Sequence, residues 1–268
     1  MIINNCVVLK IITEVSCFLA GILIGIIASI LGLGGGALFR PLLTEVYGFN
    51  EYSASATSLF AVIFTSLSSA IAYARQRRIF YKVGILMALT AIPGAILGAY
   101  VILTIPEFIL RISFGIVLIL AALNMVKKAR KTITRNVSQK INEMNYKKTR
   151  LPIAMAASFF AGFIASILGI GGGIVYVPIM NIILDIMIHF STSTSSFIIT
   201  LSSTTGAFIH QSHNLVNFTF GAALGLGAVV GAQIGAKISK KQKPKTIQLI
   251  FAAFLIFVAL RMIITSII

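Results

Sequence analysis

Residues 25–43 read GIIASILGLGGGALFRPLL, and residues 162–180 read GFIASILGIGGGIVYVPIM. The two stretches lie 137 positions apart and are identical at eleven of their nineteen positions. The same offset continues far beyond them without a gap, so that Gly94 falls on Gly231. Self-similarity at one fixed period indicates that the chain is built from two copies of one structural unit.

The composition shows where such a unit can fold. Hydrophobic residues make up 58% of the 268 residues and charged residues only 10%, with a mean hydropathy of +1.01. Soluble domains are about 25% charged, so this chain cannot cover its own surface with polar groups. A soluble enzyme or binding module is excluded, and so is a disordered chain, which needs low hydrophobicity.

The apolar residues fall in runs whose length predicts helices in a membrane. A helix needs about 20 mainly apolar residues to cross the hydrocarbon core of a bilayer. Two shorter apolar runs, 37–47 and 174–188, each follow the first long run of a set and predict half-helices. The sequence thus predicts an all-α polytopic membrane protein with eight main transmembrane helices, at about 14–33, 54–74, 83–104, 108–126, 151–170, 191–210, 218–236 and 247–266.

The charge is strongly one-sided, with 22 Lys and Arg against 6 Asp and Glu and a formal net charge of +16. Most of the basic residues fall in three loops, 75–82, 127–150 and 237–245. Basic residues between spans mark cytoplasmic loops, whereas a nucleic-acid surface would gather them on one folded face. We therefore expect a multi-pass protein of the cell membrane with these three loops in the cytoplasm and with no nucleic-acid partner.

Equivalent loops of the two copies differ in charge. The basic loop 75–82 matches Gln211–Thr219, which has no formal charge, and the basic loop 237–245 matches 100–108, which contains only Glu107. Equivalent loops therefore lie on opposite faces, which predicts an inverted-topology repeat, a pattern common in secondary transporters. The predicted organisation is a first repeat at 1–126, a cytoplasmic linker at 127–150 and a second repeat at 151–268, with both termini outside.

Each half contains a GxGGG segment between its first span and its half-helix. Neither segment is followed by the Lys-Ser/Thr pair that completes a phosphate-binding loop. Non-helical backbone at membrane depth is tolerated where protein buries it or where it lines a cavity, and the glycines leave backbone N–H groups free. One reading is that they only allow close helix packing. The other, which we favour, is an anion site between two Gly-tipped hairpins near the midplane, with donors from Gly34, Gly35, Gly36, Gly171, Gly172 and Gly173.

Hydroxyl groups occupy matching positions near the hairpins. Thr57 and Ser58 of the first half fall on Thr194 and Ser195 of the second. These side chains are candidates to donate to a bound oxyanion, although single hydroxyls more often bond to their own helix backbone. Arg40 lies inside the first hairpin, where an ionisable residue is a functional candidate, and it could instead extend to an aqueous face.

No catalytic residue, metal site or cofactor is expected, because no nucleophile–base pair or metal cluster falls on facing segments, and we do not expect an enzyme. Asp185, His189 and His210 are the candidates for coupling transport to a proton, and each could also be a solvated residue near a helix end. The small-residue segments 93–99 and 230–236 are typical of close helix packing. They predict either internal contacts or the seam of a homodimer.

The paired GxGGGxxxxP hairpins, the Ser/Thr-rich segments after them and the P/V-GAxxGA segments resemble the TauE/SafE family of membrane transporters, often described as sulfite exporters. The resemblance covers about 15–126 and 152–266. It implies transport of small sulfur-containing anions such as sulfite or organosulfonates, with the two hairpins meeting at a central site. Arg40 departs from the family's usual apolar residue before the Pro.

Together these features predict a secondary transporter of small anions that works by alternating access around a site between the two hairpins. Its partners would be the small anionic substrate, the lipid bilayer, a proton or sodium ion as coupling ion, and a second copy in a homodimer. Two other functions remain open: a passive anion channel, and a non-transporting membrane scaffold subunit.

Overall fold

The computed structural model describes the backbone of residues 2–131, 148–239, 252, 255–262 and 264. The described part is helical, with short turns and no β-strand. Much of the predicted linker 127–150, of the basic loop 237–245 and of the last predicted span 247–266 lies outside the described residues.

Three long helices and one short, buried helix recur in the same order in each half, with the short helix in second place. The short helices α2 and α7 are each extended by a π-helical turn, at Leu42–Val46 and Ile179–Ile183. Residues 252, 255–262 and 264 are also helical. The helices are α1 (Ile2–Leu31), α2 (Gly36–Pro41), α3 (Glu51–Arg75), α4 (Tyr81–Val101), α5 (Glu107–Lys131), α6 (Leu151–Leu168), α7 (Gly173–Pro178), α8 (Ile188–Ser212) and α9 (Phe218–Ile238).

The predicted apolar runs up to residue 236 correspond to these helices, with differences at the ends. Helix α1 begins at Ile2, well before the predicted start at residue 14, and α5 continues to Lys131, into the predicted linker. Within the described residues, α1, α3, α4, α6 and α9 are long and apolar enough to cross a membrane. Helix α8 has the necessary length, 25 residues, but is rich in Ser and Thr. The described residues are all-helical and consistent with a membrane protein, while the inverted repeats and the total of eight spans stay predictions.

Large apolar side chains cover the outside of the bundle. Leu23 is 64% exposed, Phe160 62% and Phe208 79%. In water such a surface would be an aggregation liability, whereas in a bilayer it faces lipid tails of the same polarity. The exposed face therefore agrees with the composition in placing the bundle in a membrane.

The helices of the two halves pack against each other. Helix α1 packs on α9, α4 on α6, and α3 on both α8 and α9. The small-residue segments make these contacts close: a Cβ added at Gly94 would strike the carbonyl oxygen of Phe159, and one at Gly231 would strike that of Ile22. The structure therefore decides between the two readings of the GA segments, which serve internal packing between α4 and α6 and between α9 and α1.

Candidate functional site

The two glycine tips, residues 32–36 and 169–173, touch each other through their backbones. A Cβ added at Gly36 would strike the carbonyl oxygen of Gly169 in the other half. A Cβ added at Gly173 would strike the carbonyl oxygen of Gly32, which is the same contact with the halves exchanged. Only glycine allows backbones to approach this closely. The sequence-predicted meeting of the two hairpins is thus present, and the contact is reciprocal.

The tips meet at the middle of the two long helices α3 and α8. A Cβ added at Gly34 would lie 3.2 Å from Val62 Cγ1 and 3.1 Å from Ile199 Cγ2. A Cβ added at Gly171 would lie 2.7 Å from the same Val62 atom and 3.2 Å from the same Ile199 atom. Val62 and Ile199 are each the twelfth residue of a 25-residue helix. If α3 and α8 span the bilayer, the tips lie close to its midplane.

The backbone at each tip leaves N–H groups free of protein acceptors. Gly34 and Gly35 have φ values of 77° and 96°, and Gly171 and Gly172 have values of 79° and 81°. Among the described residues, no backbone hydrogen bond outside the helices begins at the N–H of these four glycines. Successive N–H groups in such conformations can form a concavity that suits an anion. Residues 31–40 and 165–174 are buried, so the tips are closed to solvent in this conformation.

Ser58 and Ser195 fasten each tip to the opposite half. Ser58 Oγ donates to the carbonyl oxygen of Gly169 at 2.8 Å, and Ser195 Oγ donates to that of Gly32 at 2.7 Å. Both side chains are fully buried. The hydroxyl hydrogens are therefore used to hold the tips, and the predicted contact of these hydroxyls with a substrate stays a prediction.

Thr57 and Thr194 lie one residue before these serines and act at other helix starts. Thr57 Oγ1 accepts a hydrogen bond from the backbone N–H of Asn217 at 3.0 Å, at the beginning of α9. Thr194 Oγ1 accepts one from the N–H of Phe80, also at 3.0 Å, at the beginning of α4. These threonines therefore tie α3 to α9 and α8 to α4, which orients the helices on either side of the tips.

Arg40 is fully buried and is held by three kinds of contact. Its Nη2 donates to Glu51 Oε2 at 2.8 Å, and its Nη1 donates to the carbonyl oxygen of Leu168 at 2.8 Å. Its Cζ lies 4.4 Å from the centre of the Phe114 ring. Glu51 also accepts from Arg111 Nε at 2.7 Å. Because Arg40 is 0% exposed, the alternative that it extends to an aqueous face is wrong.

Glu51 is a residue that the sequence reasoning did not single out. It is 1% exposed and bridges the two arginines, so its carboxylate neutralises part of their charge. A signal for it was available in the repeat. Arg40 falls on Val177 and Glu51 falls on Ile188, so a basic and an acidic residue replace apolar residues in the same half. Two opposite charges that depart together from a repeat are candidates for an ion pair.

The three candidates for proton coupling lie near the two ends of α8, and Gln233 links two other helices. Gln233 Nε2 donates to the backbone oxygen of Ser68 at 2.9 Å and so links α9 to α3. Asp185, just before α8, and His189, in its first turn, both have interaction partners. His210 is fully buried near the end of α8, and its Nε2 lies 3.0 Å from the carbonyl oxygen of Ser166.

The apolar spans, the lipid-facing side chains and the buried mid-helix tips define a multi-pass membrane protein, and comparison with known proteins shows the family to which it belongs. Residues 17–262 match the sequence model of the family described as "Sulfite exporter TauE/SafE". The chain belongs to this family, as its hairpin motifs predicted.

Two relatives show how far the similarity extends. "Probable membrane transporter protein YunE" of Bacillus subtilis is 33% identical over 258 residues, which cover 91% of this chain and 94% of the relative. "Probable membrane transporter protein MJ0441" of Methanocaldococcus jannaschii is 25% identical over 252 residues, which cover 88% and 90%. No solved structure gives a significant match.

Proposed function

We propose that the protein is a secondary transporter of small anions of the sulfite or organosulfonate type. The observation that carries the proposal is the reciprocal contact of the two tips at the middle of α3 and α8. Each tip contributes backbone N–H groups that have no acceptor among the described residues to the same buried region. Such donors suit a compact oxyanion, because they add hydrogen bonds without a fixed positive charge that would hold the anion permanently.

The two halves are proposed to have inverted topology, with both termini outside and the three basic loops in the cytoplasm. Support comes from contacts that recur at the offset of 137. Ser58 and Ser195 make the same bond to opposite tips, and Thr57 and Thr194 cap opposite helices. Two halves related in this way can exchange conformations, which is the basis of alternating access.

Alternating access is favoured over a passive channel because both tips are buried. A channel would need a continuous watery path past the tips, whereas residues 31–40 and 165–174 are closed to solvent. The tips are held by hydrogen bonds between the halves, so a movement of one half against the other would break and remake these bonds. In this mechanism Ser58 and Ser195 position the tips, and Arg40 keeps the first hairpin attached to α6 through the carbonyl oxygen of Leu168.

The test is transport by the purified protein in proteoliposomes. We expect uptake of sulfite or a sulfonate and counterflow when the same anion is loaded inside. Gly35→Leu and Gly172→Leu should abolish uptake, because both residues have positive φ and an added Cβ would lie 2.7 Å from Phe39 and 2.5 Å from Tyr176. Gly48→Leu is the matched control, since Gly48 also has positive φ but no atom lies within 4 Å of the added Cβ.

Three results would contradict the proposal. Full uptake by both tip variants would show that the hairpins do not form the anion site. Flux without counterflow would indicate a channel. Absence of any anion binding, together with a stable complex with another membrane protein, would indicate a scaffold subunit.

A further inference from the structure

His210 and Tyr73 make the same contact in the two halves of the chain. The two residues are related by the offset of 137, and so are their partners Ser166 and Ser29. Tyr73 donates from its hydroxyl to the carbonyl oxygen of Ser29 at 2.6 Å, and His210 Nε2 lies 3.0 Å from the carbonyl oxygen of Ser166. One half therefore uses a phenol and the other an imidazole for the same bond, and only the imidazole has a second nitrogen that can take up a proton.

The contact defines how a proton binds to His210. A carbonyl oxygen can only accept, so Nε2 must carry the hydrogen and Nδ1 must carry the lone pair. Among the described residues Nδ1 of His210 has no hydrogen-bond partner, although the residue is 0% exposed. A proton taken up at Nδ1 leaves the bond to Ser166 intact and adds a positive charge with an unpaired N–H.

Unpaired hydroxyls extend from His210 towards the second tip. Ile199, Ser203 and His210 lie on one face of α8, at positions i, i+4 and i+11. Ser203 Oγ lies 3.5 Å from the position of a Cβ at Gly171, and Ser166 Oγ lies on the facing helix α6. Both hydroxyls are buried without a partner in the described part of the chain. The seam between α6 and α8 therefore holds polar groups from the tip to the imidazole.

Other titratable groups around this seam are few. Helix α6 has none between Leu151 and Leu168. His213, at the end of α8, is close enough to interact electrostatically with His210. The ring centre of Tyr100 on α4 lies 5.8 Å from the ring centre of His213. Arg40 reaches the carbonyl oxygen of Leu168 and is paired with Glu51. The remaining titratable groups on helices that contact α8 are Tyr52, Tyr73 and Arg75 on α3, Tyr81 and Lys82 on α4, Tyr176 on α7, and Cys6, Lys10, Glu14 and Cys17 on α1.

We propose that Nδ1 of His210 is the binding site of the coupling proton and that the proton and the anion bind together in the α6–α8 seam. The protonated imidazole lacks a counter-charge in the seam, and an anion that enters beside Ser166 and Ser203 supplies it. The proton site rests on the geometry of His210 alone, and the joint binding rests also on the proposed anion transport.

The experiment measures sulfonate binding to the full purified chain by thermal shift at about pH 8 and about pH 5, on either side of the ordinary His pKa of about 6.5. Methanesulfonate is the probe because its charge stays the same over this range. We expect its Kd to fall about tenfold at the lower pH, within the usual range of coupling between two ligands. His210→Tyr copies the residue of the other half, keeps the bond to Ser166 and should lose the pH response.

The chain has three histidines, so each of them can be replaced in turn. His189→Asn and His213→Asn should keep the tenfold response, whereas His210→Gln, a second replacement in case the tyrosine does not fit, should lose it. Tyr73→His should add a pH response to binding. A full response in both His210 variants, or none in the wild-type protein, would overturn the proposal.

Failure of the proposed function can be told apart from failure of the proton site. If the wild-type protein neither binds nor moves a sulfonate, anion transport is wrong. The proton site is then tested by unfolding without ligand. We expect the Tm of the wild type to fall further than that of His210→Tyr between about pH 8 and about pH 5, because a buried unpaired charge is costly. Equal falls would refute the proton site.

Discussion

Replacement of Glu51 by glutamine tests the buried ion pair of the first hairpin. The change removes one negative charge and keeps the size of the side chain. Glu51 accepts from Arg40 at 2.8 Å and from Arg111 at 2.7 Å, and the side chains of Glu51 and Arg40 are 1% and 0% exposed. Without the carboxylate, Arg40 would remain as a buried cation that has lost the negative charge of Glu51, and the single amide oxygen of the glutamine could accept from only one of the two positions that Arg40 and Arg111 now occupy.

The size of the effect follows from this burial. Breaking a buried ion pair by removing one partner costs about 3–5 kcal/mol, because the remaining charge is left uncompensated. Since Tm changes by about 2–4 °C per kcal/mol for a chain of this size, we expect Glu51→Gln to lower the Tm by at least about 6 °C. The measurement is thermal unfolding of the purified protein in detergent.

The matched control is Glu45→Gln. Glu45 pairs with Arg261 at 2.8 Å, but the side chain of Arg261 is 57% exposed. Exposed pairs contribute about 1 kcal/mol or less, so the Tm should fall by less than about 4 °C. If Glu51→Gln lowers the Tm no more than Glu45→Gln does, the triad of Arg40, Glu51 and Arg111 is not the buried unit described above.

A double replacement separates the charge from the packing. Arg40→Val with Glu51→Ile introduces the residues found at the equivalent positions 177 and 188 of the second half. Replacing a buried ion pair by apolar residues is often neutral or stabilising, and Arg111, which is 29% exposed, can turn to water. We expect the double variant to unfold at a higher Tm than Glu51→Gln. A lower Tm would mean that the arginine stem and the carboxylate are needed for packing.

Further predictions concern the tips. Gly36→Ala and Gly173→Ala should each lower the Tm and abolish sulfonate uptake in proteoliposomes, because the added Cβ would strike the backbone of the opposite tip. Gly48→Ala is the control and should leave uptake unchanged, because the space around Gly48 is open. Normal uptake by Gly36→Ala would contradict the prediction. Ser58→Ala and Ser195→Ala should each cost about 1–3 kcal/mol, since a buried carbonyl oxygen loses its donor. Thermal unfolding measures this cost, and a large effect in only one of the two would contradict the equivalence of the tips.

Several features of the site were predicted from the repeat. The helices, the two hairpins and their glycine tips follow from local composition and from the matched motifs, and the four hydroxyl residues were selected because they keep their positions in both halves. Their bonding partners could not be predicted in this way. Ser58 and Ser195 bond to glycines more than a hundred residues away, and no local pattern records which distant carbonyl a hydroxyl will meet.

The ion triad shows the same limit. The sequence marks Arg40 as an unusual residue in an apolar hairpin, but it does not single out its partner Glu51. Glu51 lies 11 positions from Arg40, and Arg111 lies 60 positions from Glu51. Only the packing of α2, α3 and α5 brings the three residues to one point. The offset of 137 relates Tyr73 to His210, but it does not show that two residues of different chemistry bond to equivalent carbonyl oxygens.

The sequence by itself determined the membrane environment, the helical class, the duplicated unit and the family, since these depend on composition, run length and motif spacing. The tertiary structure decided how the units are joined. It showed that the GA segments pack α4 on α6 and α9 on α1 inside one chain, that the tips touch at the middle of α3 and α8, and that Arg40 is buried against Glu51. The physical reason is that each of these contacts joins segments from distant parts of the chain, and their meeting depends on the close packing of whole helices.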